Sequence, residues 1–375
     1  MQIFSQEEHY SEMLKKDLEL YNIARTIPFK SIKPLNYNQA RETFLKAKGG
    51  NVIFQYQKIA DEQLLDIIEK LEQLNIDTTS TIGKILDNKR IELISKTKMI
   101  LSRGNEEFTY YSKLGYGEPT KELVDEAYNI LNTTPKRSPS PKYLKQKQAI
   151  KLLKTVLKGY KLDWKVEKRE MVTDASVNIT DKILYLNNKI RFSQQFIRRL
   201  IVHEIGAHVL RAENGRLQPF LIFSTGFPGY LETEEGLAAY LESQLNVLNP
   251  AVLRNYAGRV LAVHFALESS FEDTFEKLRR FFPPKVSFKL ASRAKRGLMD
   301  TSFSGAFTRD HIYLQGFLKV KEYAQKNGNV DALMYGKIGL KDVDLLHEIP
   351  RLREPTYTLK IIRDITKHKF LSLYD

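Results

Sequence analysis

A chain of 375 residues, 42% hydrophobic and 28% charged, has the composition of a globular protein large enough for one elaborated domain or two. It holds no apolar run near the roughly 20 residues that a membrane span needs. It has no cysteine, which excludes thiol catalysis, thiolate metal ligands and disulfides, so any metal must be held by His, Glu or Asp. The formal net charge of +14 favours an acidic partner and says nothing about fold.

The first stretch, MQIFSQEEHYSEMLKKDLELY, places acids where a secretory leader carries bases and then an apolar core, so a cytoplasmic chain is expected. Apolar spacing predicts helices over residues 5–25 and 38–47. A stronger one is predicted over Asp61–Asp77, with Leu64, Ile67, Ile68, Leu71 and Leu74 on one face, and another over about Lys89–Arg103. Thr120–Asn132 opens with a threonine and a glutamate arranged close to a capping box. It runs into the Pro- and Ser-rich stretch Thr133–Pro141, the best linker in the chain. The domain expectation is therefore a helical N-terminal region, 1–140, followed by residues 141–375.

Beyond the linker, Tyr143–Tyr160 reads as a basic amphipathic helix, and then the period changes. DWKVEKRE, ASVNIT and KILYLNN alternate or carry β-branched residues between short polar turns, which predicts three strands ahead of a helix from about Ser193. From Glu232 onward the pattern is mostly helical, broken by FFPPKVSF at Phe281–Phe288 and by Pro350 and Pro355. The fold class expected is α+β: mainly helical, with a small mixed or antiparallel sheet next to the helix that begins after KILYLNN.

That helix contains VHEIGAHVL, Val202–Leu210. Two histidines and a glutamate on one helix are how zinc peptidases supply two ligands and a general base. With 7 histidines in the chain, an HExxxH match arises by chance roughly 0.01 times, which favours a site over coincidence. The histidines stand five apart, however, and at about 100° per residue such a pair lies roughly 140° apart on a regular α-helix. A π-type turn, i→i+5, returns the fifth residue to nearly the same face. Gly206 eases that distortion, so a π-bulge or a helix end is expected between Glu204 and His208.

A third ligand must come from a neighbouring element. GYLETEEGLAAYLESQL, Gly229–Leu245, follows the turn GFPG and offers Glu232, Glu234 and Glu235, with Glu242 two turns away. Glu235 precedes Gly236, whose small size leaves room for close packing against the first helix, while Glu232 and Glu234 fall on other faces. His264 with Glu268 and His347 with Glu348 echo metal patterns, but neither pair has a second histidine in reach, and both read as structural.

HEIGAH, NGRLQPF, GFPGYLETEEGLA and FTRDHIYLQG together resemble the DUF1704 family, described by a QEGLA motif in its bacterial members and including an animal microtubule-associated tyrosine carboxypeptidase. The resemblance is densest between Tyr185 and Phe317. It implies a zincin-like catalytic domain over 141–375, with one zinc ion held by His203, His208 and Glu235 and with Glu204 as catalytic base. Glutamate stands at the first position of EEGLA where bacterial relatives often have glutamine, which argues against Glu234 as a ligand. The implied activity is a zinc metallopeptidase of the carboxypeptidase type, removing a C-terminal, aromatic residue; the animal relatives act on the C-terminal tyrosine of tubulin.

Such chemistry needs an oxyanion donor besides the metal, for which Tyr230, Tyr313 and His311 are candidates. It also needs a cation for the terminal carboxylate, a role suited to arginine: Arg309 first, with Arg211 and Arg216 as alternatives. ASVNITDKILYLNN would supply an edge strand for an extended peptide. The expected partner is the C-terminus of a peptide or protein, an acidic one suiting the net charge. No membrane is expected, and a nucleic acid is disfavoured, because no helix-turn-helix, RRM-like or zinc-finger pattern is present. The competing reading is a noncatalytic, regulatory protein that keeps zinc as a structural pin.

Overall fold

The structure is a computed structural model, and it describes residues 6–133, 143–171, 174–326 and 328–360. It is mainly helical with two small sheets. The chain clusters into two compact units, Met1–Thr134 with Ala251–Gln315, and Pro135–Pro250 with Gly316–Asp375. The expected linker, Thr133–Pro141, lies outside the described residues except for Thr133. Among the described residues, no helix is long and apolar enough to cross a membrane.

Unit 1 holds α1 (Gln6–Ala24), α2 (Tyr37–Ala47), α3 (Asp61–Gln73), α4 (Thr81–Leu101), α5 (Glu107–Tyr116) and α6 (Lys121–Asn132). Helix α4 begins eight residues before its expected start because Ser80 caps it, its hydroxyl accepting from Gly83 N. Thr120 caps α6 in the same way, accepting from Leu123 N. Helix α5, whose aromatic-rich sequence carries no clear helical period, was not anticipated. Interleaved phenylalanines make one focus of the core: Phe44 packs edge-on to Phe271 with centroids 5.2 Å apart and lies 5.4 Å from Phe288.

In unit 2 a short antiparallel pair, β1 (Tyr143–Leu144) with β5 (Phe192–Ser193), brackets α7 (Gln146–Gly159) and a three-stranded sheet. That sheet runs β2 (Lys165–Arg169), β4 (Ile183–Asn187), β3 (Ala175–Asn178), parallel for the first pair and antiparallel for the second. It is the small mixed sheet expected. Helix α7 buries Ala149, Leu152, Leu153, Val156 and Leu157 and turns its lysines outward. Strand β3 is an edge of the sheet and lies beside the helix that follows.

That helix is continuous from Gln194 to Leu217: α8 (Gln194–Leu200), a π-helical segment Ile201–Val209, and α9 (Leu210–Leu217). The short α10 (Ile222–Thr225) then leads to a turn that uses Gly226 and Gly229 at φ of 115° and 74°, which permits the reversal into α11 (Tyr230–Gln244). Helix α11 packs beside the π-helical segment.

The chain re-enters unit 1 through α12 (Pro250–Glu268), α13 (Phe271–Arg279) and α14 (Pro284–Lys295). The break expected at FFPPKVSF separates the last two, with Pro284 in the first turn of α14. A 3₁₀ turn, Thr308–His311, precedes α15 (Ile312–Gln325). The tail expected to be helical is instead two 3₁₀ segments, Val330–Tyr335 and Leu340–Glu348, separated by Gly336 and Gly339.

Candidate metal centre

The π-helical segment is what the HExxxH spacing demands. With i→i+5 closure, His203 and His208 project from one face, and their ring centroids lie 4.9 Å apart. The bulge falls on both sides of Gly206, which is buried. From α11, Glu235 brings Oε2 to 3.7 Å from His203 Nε2 and 4.0 Å from His208 Nε2. One donor atom from each of His203, His208 and Glu235 lies within 4.8 Å of the others. Two imidazole nitrogens and a carboxylate at these separations suit a tetrahedral ion with bonds of about 2 Å.

Behind each histidine stands a second carboxylate. His203 Nδ1 donates to Glu242 Oε1 at 2.6 Å, and His208 Nδ1 donates to Glu234 Oε1 at 2.8 Å. A carboxylate only accepts, so Nδ1 carries a proton in both rings, and the neutral tautomers that could bind a metal would present both Nε2 lone pairs to the shared point. This is the outer-partner arrangement that orients metal-binding histidines. The partners are themselves held: Arg199 Nε donates to Glu242 Oε2 at 3.0 Å, while Glu234 receives Lys337 Nζ at 2.5 Å and Arg211 Nη1.

The charge balance of this pocket suits a cation. Burial would push the His203 imidazolium down, but the carboxylates of Glu235, Glu242 and Glu204 outweigh it and hold its pKa up at about 10. Burial would likewise raise Glu234, yet Lys337, Arg211 and His208 outweigh it and hold that carboxyl far below the usual range. Glu234 therefore stays an anion although it is 2% exposed.

Glu234 and Glu242 stay off the point shared by His203, His208 and Glu235, as their expected places on the helix imply, and the contacts add a role that the sequence did not suggest: each meets the Nδ1 side of one histidine. Glu242 follows Glu235 by seven residues and so shares its helix face, which the spacing alone could have shown. Glu234, a step of about 100° round the helix, reaches the far side of His208. Nothing in the sequence singled out Lys337. Gly236 also acts differently from expectation: a Cβ there would lie 2.3 Å from the Gly316 carbonyl, so the glycine admits α15 and not the HEIGAH helix. The last glycine of FTRDHIYLQG is thus the counterpart of the EGLA glycine.

Arg211 lies at the rear of this centre. It is fully buried; its Nη1 meets Glu234, Nε donates to Leu333 O and Gly336 O at 2.9 Å, and Nη2 donates to Ile338 O at 2.7 Å. Those donors fasten the C-terminal 3₁₀ region to α9 and α11. Arg216 pairs with Glu213 and lies 5.9 Å from the Trp164 ring. Tyr230 opens α11 with Lys337 Nζ 5.4 Å over its ring. In unit 1, Tyr313 lies beneath Arg259 at 4.2 Å, and His311, 1% exposed, donates from Nδ1 to Thr308 O at 2.7 Å. Arg309 lies in the same 3₁₀ turn. His264 and His347 belong to no potential metal cluster among the described residues.

The chain is similar in sequence to several known proteins. The match to a rat microtubule-associated tyrosine carboxypeptidase 1 is 34% identical over 160 residues, covering 41% of this chain and 33% of the relative. Its human counterpart is 34% identical over 158 residues, with the same coverage. A human putative tyrosine carboxypeptidase is 32% identical over 158 residues, covering 41% of this chain and 30% of that relative. These matches span about a third of the length of the curated relatives. The profile of the family described as microtubule-associated tyrosine carboxypeptidase matches residues 51–372, most of the chain. The chain belongs to that family.

Proposed function

We propose that the protein is a zinc-dependent metallopeptidase of the carboxypeptidase type, removing a C-terminal, aromatic residue from a peptide or protein. The observation that carries the reading is the convergence of His203, His208 and Glu235, with both Nδ1 atoms occupied by carboxylates and both Nε2 atoms turned to one point. A pocket built only to pin the fold has no need of Glu204 beside the first ligand. The catalytic part is taken to be residues 141–375, with 1–140 as the helical N-terminal region.

Zinc, when bound, supplies a Lewis acid for the scissile carbonyl and lowers the pKa of a coordinated water toward about 7. The chain's own residues do the rest. Glu204, on the π-helical segment one residue from His203, takes the proton from the attacking water and returns it to the leaving amine. Glu242 and Glu234 hold the imidazoles in the tautomer and orientation that present Nε2. Tyr230 and Tyr313 are the proposed donors to the developing oxyanion. Arg309 is proposed for the terminal carboxylate, and His311 lies beside it in the 3₁₀ turn. Strand β3, at a sheet edge beside the π-helical segment, offers backbone groups to an extended substrate. The buried and committed donors of Arg211 suit it to positioning Glu234 and not to contact with substrate.

The test is Glu204→Gln. Zinc content measured by atomic spectroscopy should stay at the wild-type level while peptide cleavage falls by about 10²–10⁴-fold, the range of general acid–base catalysis. Loss of the metal together with the activity would place Glu204 among the ligands and defeat the assignment. Unchanged cleavage would defeat it equally.

A further inference from the structure

Four arginines of unit 1 gather on a single carboxylate. Arg259 comes from α12, Arg293 and Arg296 from α14, and Arg309 from the 3₁₀ turn that also carries Asp310. Asp310 is 1% exposed and is gripped on both oxygens by Arg293, through Nε and, at 2.8 Å, Nη2. Arg296 Nη2 reaches the same carboxylate at 3.4 Å. Glu92 of α4 is already shared by Lys89 at 2.5 Å and Lys96 at 2.8 Å.

One carboxylate neutralises one guanidinium, so positive charge is left over. Part of it rests on rings: Arg259 lies 4.2 Å from the Tyr313 centroid and Arg296 lies 4.6 Å from that of Phe307. Rings do not replace hydrogen-bond acceptors. Among the described residues, Arg259 Nη1, Arg296 Nε and Arg309 Nε are buried with no acceptor. Each such atom is costly if it stays unpaired, so these three N–H groups can take an acceptor oxygen, whether from water or from a ligand. Burial also pushes the Arg296 guanidinium down to about 10 in spite of Asp310, with Arg293 and Arg309 adding to the effect. The cluster is not sealed: the side chains of Arg293 and Arg296 keep 18% and 13% exposure.

We propose that this cluster is an oxyanion-binding centre in which Arg259, Arg296 and Arg309 give their unpartnered N–H groups to a ligand carboxylate or phosphate, while the Arg293–Asp310 pair holds the cluster in shape. Planar forks on three elements suit an oxyanion better than lysine ammonium groups would. The choice of a terminal carboxylate as the natural ligand rests on the reading given above for Arg309. The affinity for an oxyanion rests on the cluster alone and needs neither metal nor turnover.

The experiment is calorimetric titration of the full chain with N-acetylphenylalanine, its C-terminal amide and inorganic phosphate, repeated on Arg259→Gln and Arg296→Gln. The free acid should bind at least about tenfold more tightly than the amide, phosphate should compete with it, and each variant should lose about tenfold for both anions. If a glutamine variant fails to fold, the corresponding lysine, which keeps the charge and loses the fork, should show a smaller loss of the same sign. Phosphate binding that the variants abolish, with acid and amide bound alike, keeps the centre and removes the terminal-carboxylate role of Arg309. Absence of binding by both anions, or binding that the variants leave unchanged, overturns the centre itself.

Discussion

Glu234→Gln tests the rear of the metal centre, because three groups converge on that one negative charge. Arg211 and Lys337 are 0% and 3% exposed, and the carboxylate between them is 2% exposed. Glutamine would leave Arg211 its carbonyl partners at Leu333, Gly336 and Ile338 but would strand both charges without a counterion. Breaking a buried pair in this way costs about 3–5 kcal/mol. At His208 the Nδ1 proton would face a neutral amide oxygen in place of a carboxylate, which should weaken metal binding about 10–100-fold, or roughly 1.4–2.7 kcal/mol. Urea unfolding of the metal-free protein reads the first effect, and zinc affinity by chelator competition reads the second. Adding Lys337→Met to Glu234→Gln should restore at least about 1 kcal/mol of stability without restoring zinc affinity, since only the stranded charge is relieved. A glutamine variant that unfolds at the wild-type urea concentration and holds zinc as tightly would refute this account of the network.

Three further outcomes follow from the same geometry. Glu242→Ala should cost His203 its outer partner and lower zinc affinity about 10–100-fold, and Glu242→Gln should recover only part of the loss; equal affinity across the three proteins would argue against the role. Gly236→Ala would drive a methyl group onto the Gly316 carbonyl, so a loss of roughly 1–3 kcal/mol in thermal or urea unfolding is expected, together with weaker zinc binding as Glu235 shifts; an unchanged melting curve would contradict the close crossing. In unit 1, burial alone would raise the Glu92 carboxyl, but Lys96 and Lys89 outweigh it and hold it at about 2. That stabilisation is complete above the ordinary value of 4.5 and is lost as pH falls through about 2. Glu92→Gln should therefore flatten acid unfolding between those values, as followed by circular dichroism, and an identical acid transition would count against it.

The sequence announced some of these features and concealed others for identifiable reasons. The π-helical segment could be read because two histidines five apart leave a regular helix no way to present both to one ion. The amphipathic helices α3, α6 and α7 declared themselves by period, and α6 by its threonine cap as well. Helix α5 was hidden because its aromatic residues, Phe108, Tyr110, Tyr111 and Tyr116, mix buried and exposed positions without a stripe. The tail after Asn329 keeps helical composition but is pinned as 3₁₀ turns by tertiary contacts from Arg211 and Asn214, which no local pattern encodes. The same holds for Lys337, whose function depends on a carboxylate 103 positions away. Glu242 is the instructive intermediate: its seven-residue spacing from Glu235 was visible, but its meaning required knowing that His203 would present Nδ1 to it.

The proposed zinc centre would shorten polypeptides from the C-terminus. Metal analysis of the purified full chain, with mass spectrometry of a defined peptide library after incubation, tests it most directly. One zinc per chain and products shortened only at the C-terminus, with aromatic residues removed first, are the predicted result. A chain that binds no zinc, or that holds zinc and leaves every C-terminus intact, would contradict it.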